Sequence, residues 1–210
     1  MTDFNSMQDA LVQCDKEKLV GLVNAALSQG SAAPDILNLG LIAGMDIVGE
    51  KMENGDMFIP EVLMAAQAMG ECVTILKPLL GEDESAKRGN VIIGTVKGDL
   101  HDIGKNLVSM MMESAGMTVH NIGVDISPED FVSQIKEKNA QLLCLSALLT
   151  TTMPMMKQTV AAIVEAGLRD RVKIMVGGAP VTQGFADEIG ADGFAPDAGS
   201  AARLAKTFVA

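Results

Sequence analysis

The chain has 210 residues, a formal net charge of −11 and a pI near 4.5; this argues against a nucleic-acid partner, since phosphate binding needs clustered Lys and Arg. With no Trp, no Tyr and only six Phe, it also lacks the aromatic platforms on which bases stack. Hydrophobic residues make up 48% of the chain, enough to bury one large domain or two small ones.

Residues 1–80 read as a helical bundle. Short helices are expected near 3–13 and 15–29, with Asp15 capping the second and Gly30 ending it. Leu37, Leu41, Met45, Val48 and Met52 then form one apolar stripe at helical spacing, and Val62, Ala66, Met69, Val73, Leu76 and Leu80 form another. Pro34 and Pro60 sit at helix starts. Four helices with short connections suggest a small bundle. GEDESAKRG, residues 81–89, is charged and small and reads as an exposed linker.

From residue 90 to 210 the rhythm changes. NVIIGTV, MTVHNIG, QLLCLSALL, VKIMVGG and GFAP are short apolar runs, each followed by an amphipathic stretch. Helices are expected from about 104, 128, 154 and 181, with a last one at the C-terminus. Ser127-Pro128-Glu129 is a helix-start signal. Strands alternating with helices indicate an α/β fold, a doubly wound parallel sheet. Right-handed crossovers and five strands give a flavodoxin-like order, 2-1-3-4-5.

Cys14, Cys72 and Cys144 show no C-x-x-C spacing and no disulfide framework, which points to a reducing cytoplasm. Cys144 reads as a small buried hydrophobe. The start, MTDFNSMQDA, is polar and acidic rather than a signal peptide, and no apolar run is expected to approach the roughly 20 residues that span a bilayer.

The stretch GTVKGDLHDIGKN holds one of only two histidines, His101, between Asp99 and Asp102. In a doubly wound sheet, ligands bind at the carboxyl ends of the strands beside the switch in strand order. That places the His101 loop, after strand 1, next to Ser146 at the end of strand 3 and Gly177–Gly178 after strand 4. A ligating histidine usually gives its second ring N–H to a carboxylate, and Asp99 stands two residues away. Alone, each feature has an ordinary explanation. The histidine could be a solvated loop residue, Asp102 could cap the helix, and Gly177–Gly178 could be a simple turn. A zinc site is disfavoured because His120 falls inside strand 2 and no cysteine pair exists. The loop lacks the G-x-x-x-x-G-K-[ST] of a P-loop, and Ser146 lacks a G-x-S-x-G elbow.

The combination is more specific. Asp99-x-His101-x-x-Gly104, 41 residues, Ser146-x-Leu148, 28 residues, then Gly177–Gly178 resembles the fingerprint of cobalamin-binding domains that hold their cofactor base-off/His-on. Asn38 to Met69, NLGLIAGMDIVGEKMENGDMFIPEVLMAAQAM, is similar to the helical cap of cobalamin-dependent methionine synthase and of corrinoid proteins. The chain is most similar to the free-standing corrinoid proteins of three-component methyltransferase systems. That resemblance implies a cobalamin or related corrinoid cofactor, with His101 as lower axial ligand to cobalt. It implies a ligand triad of His101, Asp99 and Ser146. It places Gly104, Leu148, Thr150, Gly177 and Gly178 along the nucleotide-tail pocket, counts Asp102 and Ile103 among the cofactor-binding residues, and sets Met52 and Ile59 of the cap toward the upper corrin face. Methionine synthase has a phenylalanine where this chain has Met52.

The implied function is a methyl carrier rather than a stand-alone enzyme. A substrate:corrinoid methyltransferase would place a methyl group on Co(I), and a corrinoid:acceptor methyltransferase would remove it to a thiol or tetrahydrofolate. A reductive activase would be a further partner. Three other roles share the fingerprint. A mutase subunit usually lacks this cap, and a light sensor usually carries a DNA-binding domain and a cap tryptophan. A storage protein needs the same pocket.

Overall fold

The computed structural model describes residues 3–80 and 89–209. Residues 81–88, most of the expected linker, lie outside them. Within the described residues the chain forms two compact units. One is made of residues 3–80 with Ser114–Gly116, the other of residues 89–113 and 117–209.

The helical unit comprises α1 (Phe4–Val12), α2 (Lys16–Ser28), a continuous run of α3 (Ala33–Asp35), a π-helical segment (Ile36–Ile42) and α4 (Ala43–Glu53), and then α5 (Ile59–Leu76). Asp15 caps α2 by accepting the Lys18 N–H at 3.0 Å, and Gly30 ends it in the left-handed region at φ +82°. At the start of α5, the Glu61 carboxylate reaches back to the Phe58 N–H at 2.8 Å. The π segment departs from the smooth helical stripe read in the sequence. It lies where α1 packs close: a Cβ on Gly40 would meet Met7 Sδ at 2.8 Å, and one on Gly44 would meet Leu11 Cδ1 at 2.6 Å. The Gln8 side-chain amide donates to the Leu39 carbonyl at 2.8 Å. A carbonyl off the regular i→i−4 pattern thus keeps a partner.

One expectation is corrected here. Ile59–Leu79 is long and apolar enough, by length and composition, to cross a membrane. Its Val62, Ala65, Ala66, Met69, Cys72 and Leu76 are buried, and α5 packs on α2 and α4. Those are the marks of a bundle's central helix.

The second unit is a five-stranded all-parallel sheet in the order β2-β1-β3-β4-β5. The strands are β1 (Asn90–Thr95), β2 (Thr118–Asn121), β3 (Leu142–Ser146), β4 (Lys173–Gly177) and β5 (Gly193–Phe194). The helices are α6 (Ile103–Ser114), α7 (Pro128–Lys138), α8 (Met153–Glu165), α9 (Gln183–Ile189) and α10 (Ala198–Val209). The central strands β1, β3 and β4 are apolar along most of their length because both faces are covered. Ile92, Leu143, Leu145, Ile174 and Val176 pack with Phe131, Ile135, Met156, Val160 and Ile189 of α7, α8 and α9. The alternate residues Val91, Ile93, Leu142, Cys144 and Met175 are also buried and point to the other face. Register aligns the strand ends: Thr95 pairs with Ser146, and Ser146 with Gly177. These three residues form one row across the carboxyl edge.

Candidate functional site

The site begins where β1 ends. The chain turns at Gly98, φ +82°, and Asp125 from the loop before α7 braces that turn. Asp125 Oδ1 accepts the Gly98 N–H at 2.8 Å, and Oδ2 accepts Lys97 Nζ at 3.1 Å. The Gly98 N–H first, and Lys97 next, draw the Asp125 carboxyl below its ordinary range. The Asp125 N–H in turn donates to the Asp99 carbonyl at 3.1 Å.

Asp99 is fully buried, with 0% of its surface exposed, and both its oxygens are engaged. Oδ1 accepts the His101 backbone N–H at 3.1 Å and faces His101 Nδ1 at 2.8 Å. Oδ2 accepts the Leu148 N–H at 2.8 Å, the Leu149 N–H at 3.3 Å and the Thr152 hydroxyl at 2.7 Å. Burial pushes this carboxyl up, but the bonds from Thr152, the Leu148 N–H and His101 outweigh it and hold Asp99 well below the usual carboxylate range. Asp99 is therefore an anion, and Nδ1 facing it carries the proton. The lone pair of the ring falls on Nε2. The imidazole is half exposed, at 51%. Its backbone is pinned as well, since Thr95 Oγ1 donates to the His101 carbonyl at 2.9 Å.

Asp102 leads into α6. Its carbonyl accepts the Asn106 N–H at 2.7 Å, and its carboxylate accepts Asn106 Nδ2 at 3.0 Å. The buried Lys105 ammonium donates to Asn106 Oδ1 at 2.7 Å and Asn121 Oδ1 at 2.6 Å, which ties the first turn of α6 to the end of β2. Burial lowers the Lys105 ammonium, with Asp102 opposing.

Around His101 the surface is apolar. Leu100, Ile103, Leu148 and Leu149 are all exposed. Gly104 faces open space: among the described residues a Cβ there would meet nothing within 4 Å. Gly177 and Gly178 line the other end of the row. A Cβ on Gly178, at φ +131°, would lie 1.9 Å from the Ala147 carbonyl oxygen, and one on Gly177 would lie 3.3 Å from that of Ala195. Thr150 is exposed in the turn before α8.

The structure thus gathers Asp99, His101, Asp102, Ile103, Gly104, Ser146, Leu148, Thr150, Gly177 and Gly178 on the carboxyl edge of the sheet. Met52, half-buried in α4, and Ile59, exposed at the start of α5, belong to the helical unit. One expected bond is corrected. Ser146 was to complete the triad, but among the described residues the hydroxyl on Asp99 is that of Thr152. Ser146 ends β3 half-buried, its carbonyl accepting the Val96 N–H at 3.0 Å. Sequence reasoning missed Thr95, Asp125 and Thr152.

The B12 binding domain family model matches residues 89–204, and a second model with the same description matches residues 4–77. The dimethylamine corrinoid protein of Methanosarcina barkeri is 46% identical over 99% of this chain and 97% of its own. A cobalamin-binding protein from Desulfitobacterium hafniense has a similar structure, with TM-score 0.87 and 31% identity over all of both chains. The methanol:cobalamin methyltransferase complex of Methanosarcina barkeri matches with TM-score 0.85 and 27% identity, over 98% of this chain and 79% of that one.

The chain is a B12-binding corrinoid protein. The edge described above fits a corrinoid in three respects. An imidazole whose Nδ1 is committed to a carboxylate presents its Nε2 to a transition metal. The four exposed apolar side chains around it suit the hydrocarbon rim of a large macrocycle. Gly104, where a Cβ would meet nothing within 4 Å among the described residues, leaves open space beside that rim. In a corrinoid protein with this edge, His101 would hold the metal, and Gly104, Gly177 and Gly178 would border the channel for the tail.

Proposed function

We propose that the protein is a methyl carrier whose corrinoid is bound base-off, with His101 Nε2 as the lower ligand. The observation that supports this most is the His101 ring. It is half exposed in an apolar rim, with Nδ1 committed to a buried carboxylate 2.8 Å away. When bound, the corrinoid supplies the cobalt that carries the methyl group. The chain's own residues hold and orient. Asp99 keeps the imidazole in the Nδ1–H tautomer, Thr95 and Asp125 fix the loop, and the rim excludes water from beneath the ring.

Its partners, on this reading, are a methyltransferase that loads the cofactor, a second that unloads it to a thiol or folate acceptor, and a reductive activase. The dimethylamine corrinoid relatives make a methylated amine the donor we infer. The ligand is tested by electron paramagnetic resonance of the Co(II) form of the chain reconstituted with cobalamin. One strongly coupled nitrogen is expected, its splitting changing when histidine carries ¹⁵N, and that dependence on the label vanishing in His101→Ala. A coupled nitrogen whose splitting does not change when histidine carries ¹⁵N, or still changes with that label in His101→Ala, rules His101 out. The donor is tested by mixing the reduced holoprotein with an amine-specific methyltransferase and dimethylamine; absence of methylation under conditions where methanol and its methyltransferase succeed would reject the amine.

A further inference from the structure

We propose that Asn106, Asn121 and Asp102 form a subsite for a peripheral primary carboxamide of the corrinoid, oriented by the buried Lys105. The inference rests on the reading of this edge as the corrinoid site, and not on which atom ligates cobalt.

Lys105 is 4% exposed, while Asn106 in the first turn of α6 and Asn121 at the end of β2 are exposed beside it. An ammonium has protons and no lone pair, so the amide atoms it touches must be oxygens. Lys105 Nζ reaches Asn106 Oδ1 at 2.7 Å and Asn121 Oδ1 at 2.6 Å, and this fixes which way both amides face. Asn106 Oδ1 also accepts Asn121 Nδ2 at 2.9 Å, and Asn121 Oδ1 also accepts the Gly123 N–H at 3.2 Å. Both oxygens are then filled. Asn106 Nδ2 gives one proton to Asp102 Oδ2 at 3.0 Å. Among the described residues this leaves one N–H on each amide, and Asp102 Oδ1, without a protein partner. A carboxylate at 106 or 121 would pair with the ammonium more strongly, but it would turn an acceptor outward. An amide accepts inward and donates outward. The open groups are therefore two N–H donors and one carboxylate oxygen, and Asp102 is the residue next to His101. A carboxylate ligand would meet Asp102 as a like charge, and an ammonium ligand would meet the N–H groups. A primary carboxamide suits both, since its oxygen accepts and its nitrogen donates. Cobalamin carries such carboxamides around its macrocycle.

The test is titration of the cofactor-free chain with Co(II) cobalamin and with a series in which each peripheral carboxamide in turn is replaced by a carboxylate, the affinity being read from visible absorbance. At least one member of the series is expected to bind about 10-fold more weakly than cobalamin. That preference is expected to disappear in Asn121→Ala, whose own affinity for cobalamin should fall by a similar factor. If Asn121→Ala does not fold, as judged by circular dichroism, Asn106→Ala carries the same expectation. Equal binding of cobalamin and of every member by the wild-type chain overturns the proposal and needs no variant. A preference that survives unchanged in a folded variant overturns it as well. The axial nitrogen is read separately, by electron paramagnetic resonance, so a failure of His101 as ligand and a failure of the carboxamide subsite stay distinguishable.

Discussion

At Gly178 two constraints coincide. The residue holds φ +131°, a region closed to L side chains, and its missing Cβ would sit 1.9 Å from a backbone oxygen. Backbone cannot step aside as a flexible side chain can. Gly178→Ala should therefore cost more than about 3 kcal/mol of stability, read from urea midpoints of the cofactor-free chain, and should abolish corrinoid uptake. Gly104→Ala should differ sharply, because its Cβ would enter open space; any loss there should appear in cofactor binding and not in the urea midpoint. The loop with Asp99 and His101 was legible because its residues lie within a few positions of one another and share one turn. Thr152 was not. It is the last of three consecutive threonines, and only the turn conformation decides which hydroxyl faces the carboxylate. Thr95 and Asp125 were hidden for the same reason: one ends a strand and the other lies in a distant loop.

Elements were easier to read where the signal is local. Ser127 caps α7 as its sequence suggests, its hydroxyl accepting the Asp130 N–H at 3.2 Å, with Pro128 in the first turn. Ser127→Ala should cost about 1 kcal/mol, measured by chemical denaturation, and Ser127→Asp should recover most of it. At the other end Asn139 adopts φ +48° and closes the helix in the left-handed region. The sheet order followed from alternation and the handedness of crossovers, which need only element types. The π segment was not legible. Its seven residues, Ile36–Ile42, keep an apolar pattern compatible with an ordinary α-helix. The departure occurs where Gly40 and Gly44 let α1 approach, a tertiary matter. The apolar length of α5 shows the reverse case, since one composition suits a bilayer and a bundle centre alike.

At the scale of the whole molecule, the buried Asp99 makes an acid-sensitive fold. Its carboxyl is held low in the native state, so it contributes stability that is complete above the ordinary Asp value near pH 4 and is lost as pH falls below it. Urea unfolding at pH 5 and pH 3 should show a steep drop for the wild type and a shallower one for Asp99→Asn, both measured without cofactor. Equal slopes would deny Asp99 that part. The row of Thr95, Ser146 and Gly177 across the sheet edge has a consequence for how such a site can vary. Neighbouring positions are fixed by strand pairing, while the segments between them run out along helices and back. A few residues inserted at the exposed positions 170–171, between α8 and β4, would change the interval in sequence and leave the row intact. One residue added inside β3 would shift Ser146 off the row and turn its side chain to the opposite face. Relatives of this chain can therefore differ freely in the distances between their motif pieces, while the ends of three strands keep time.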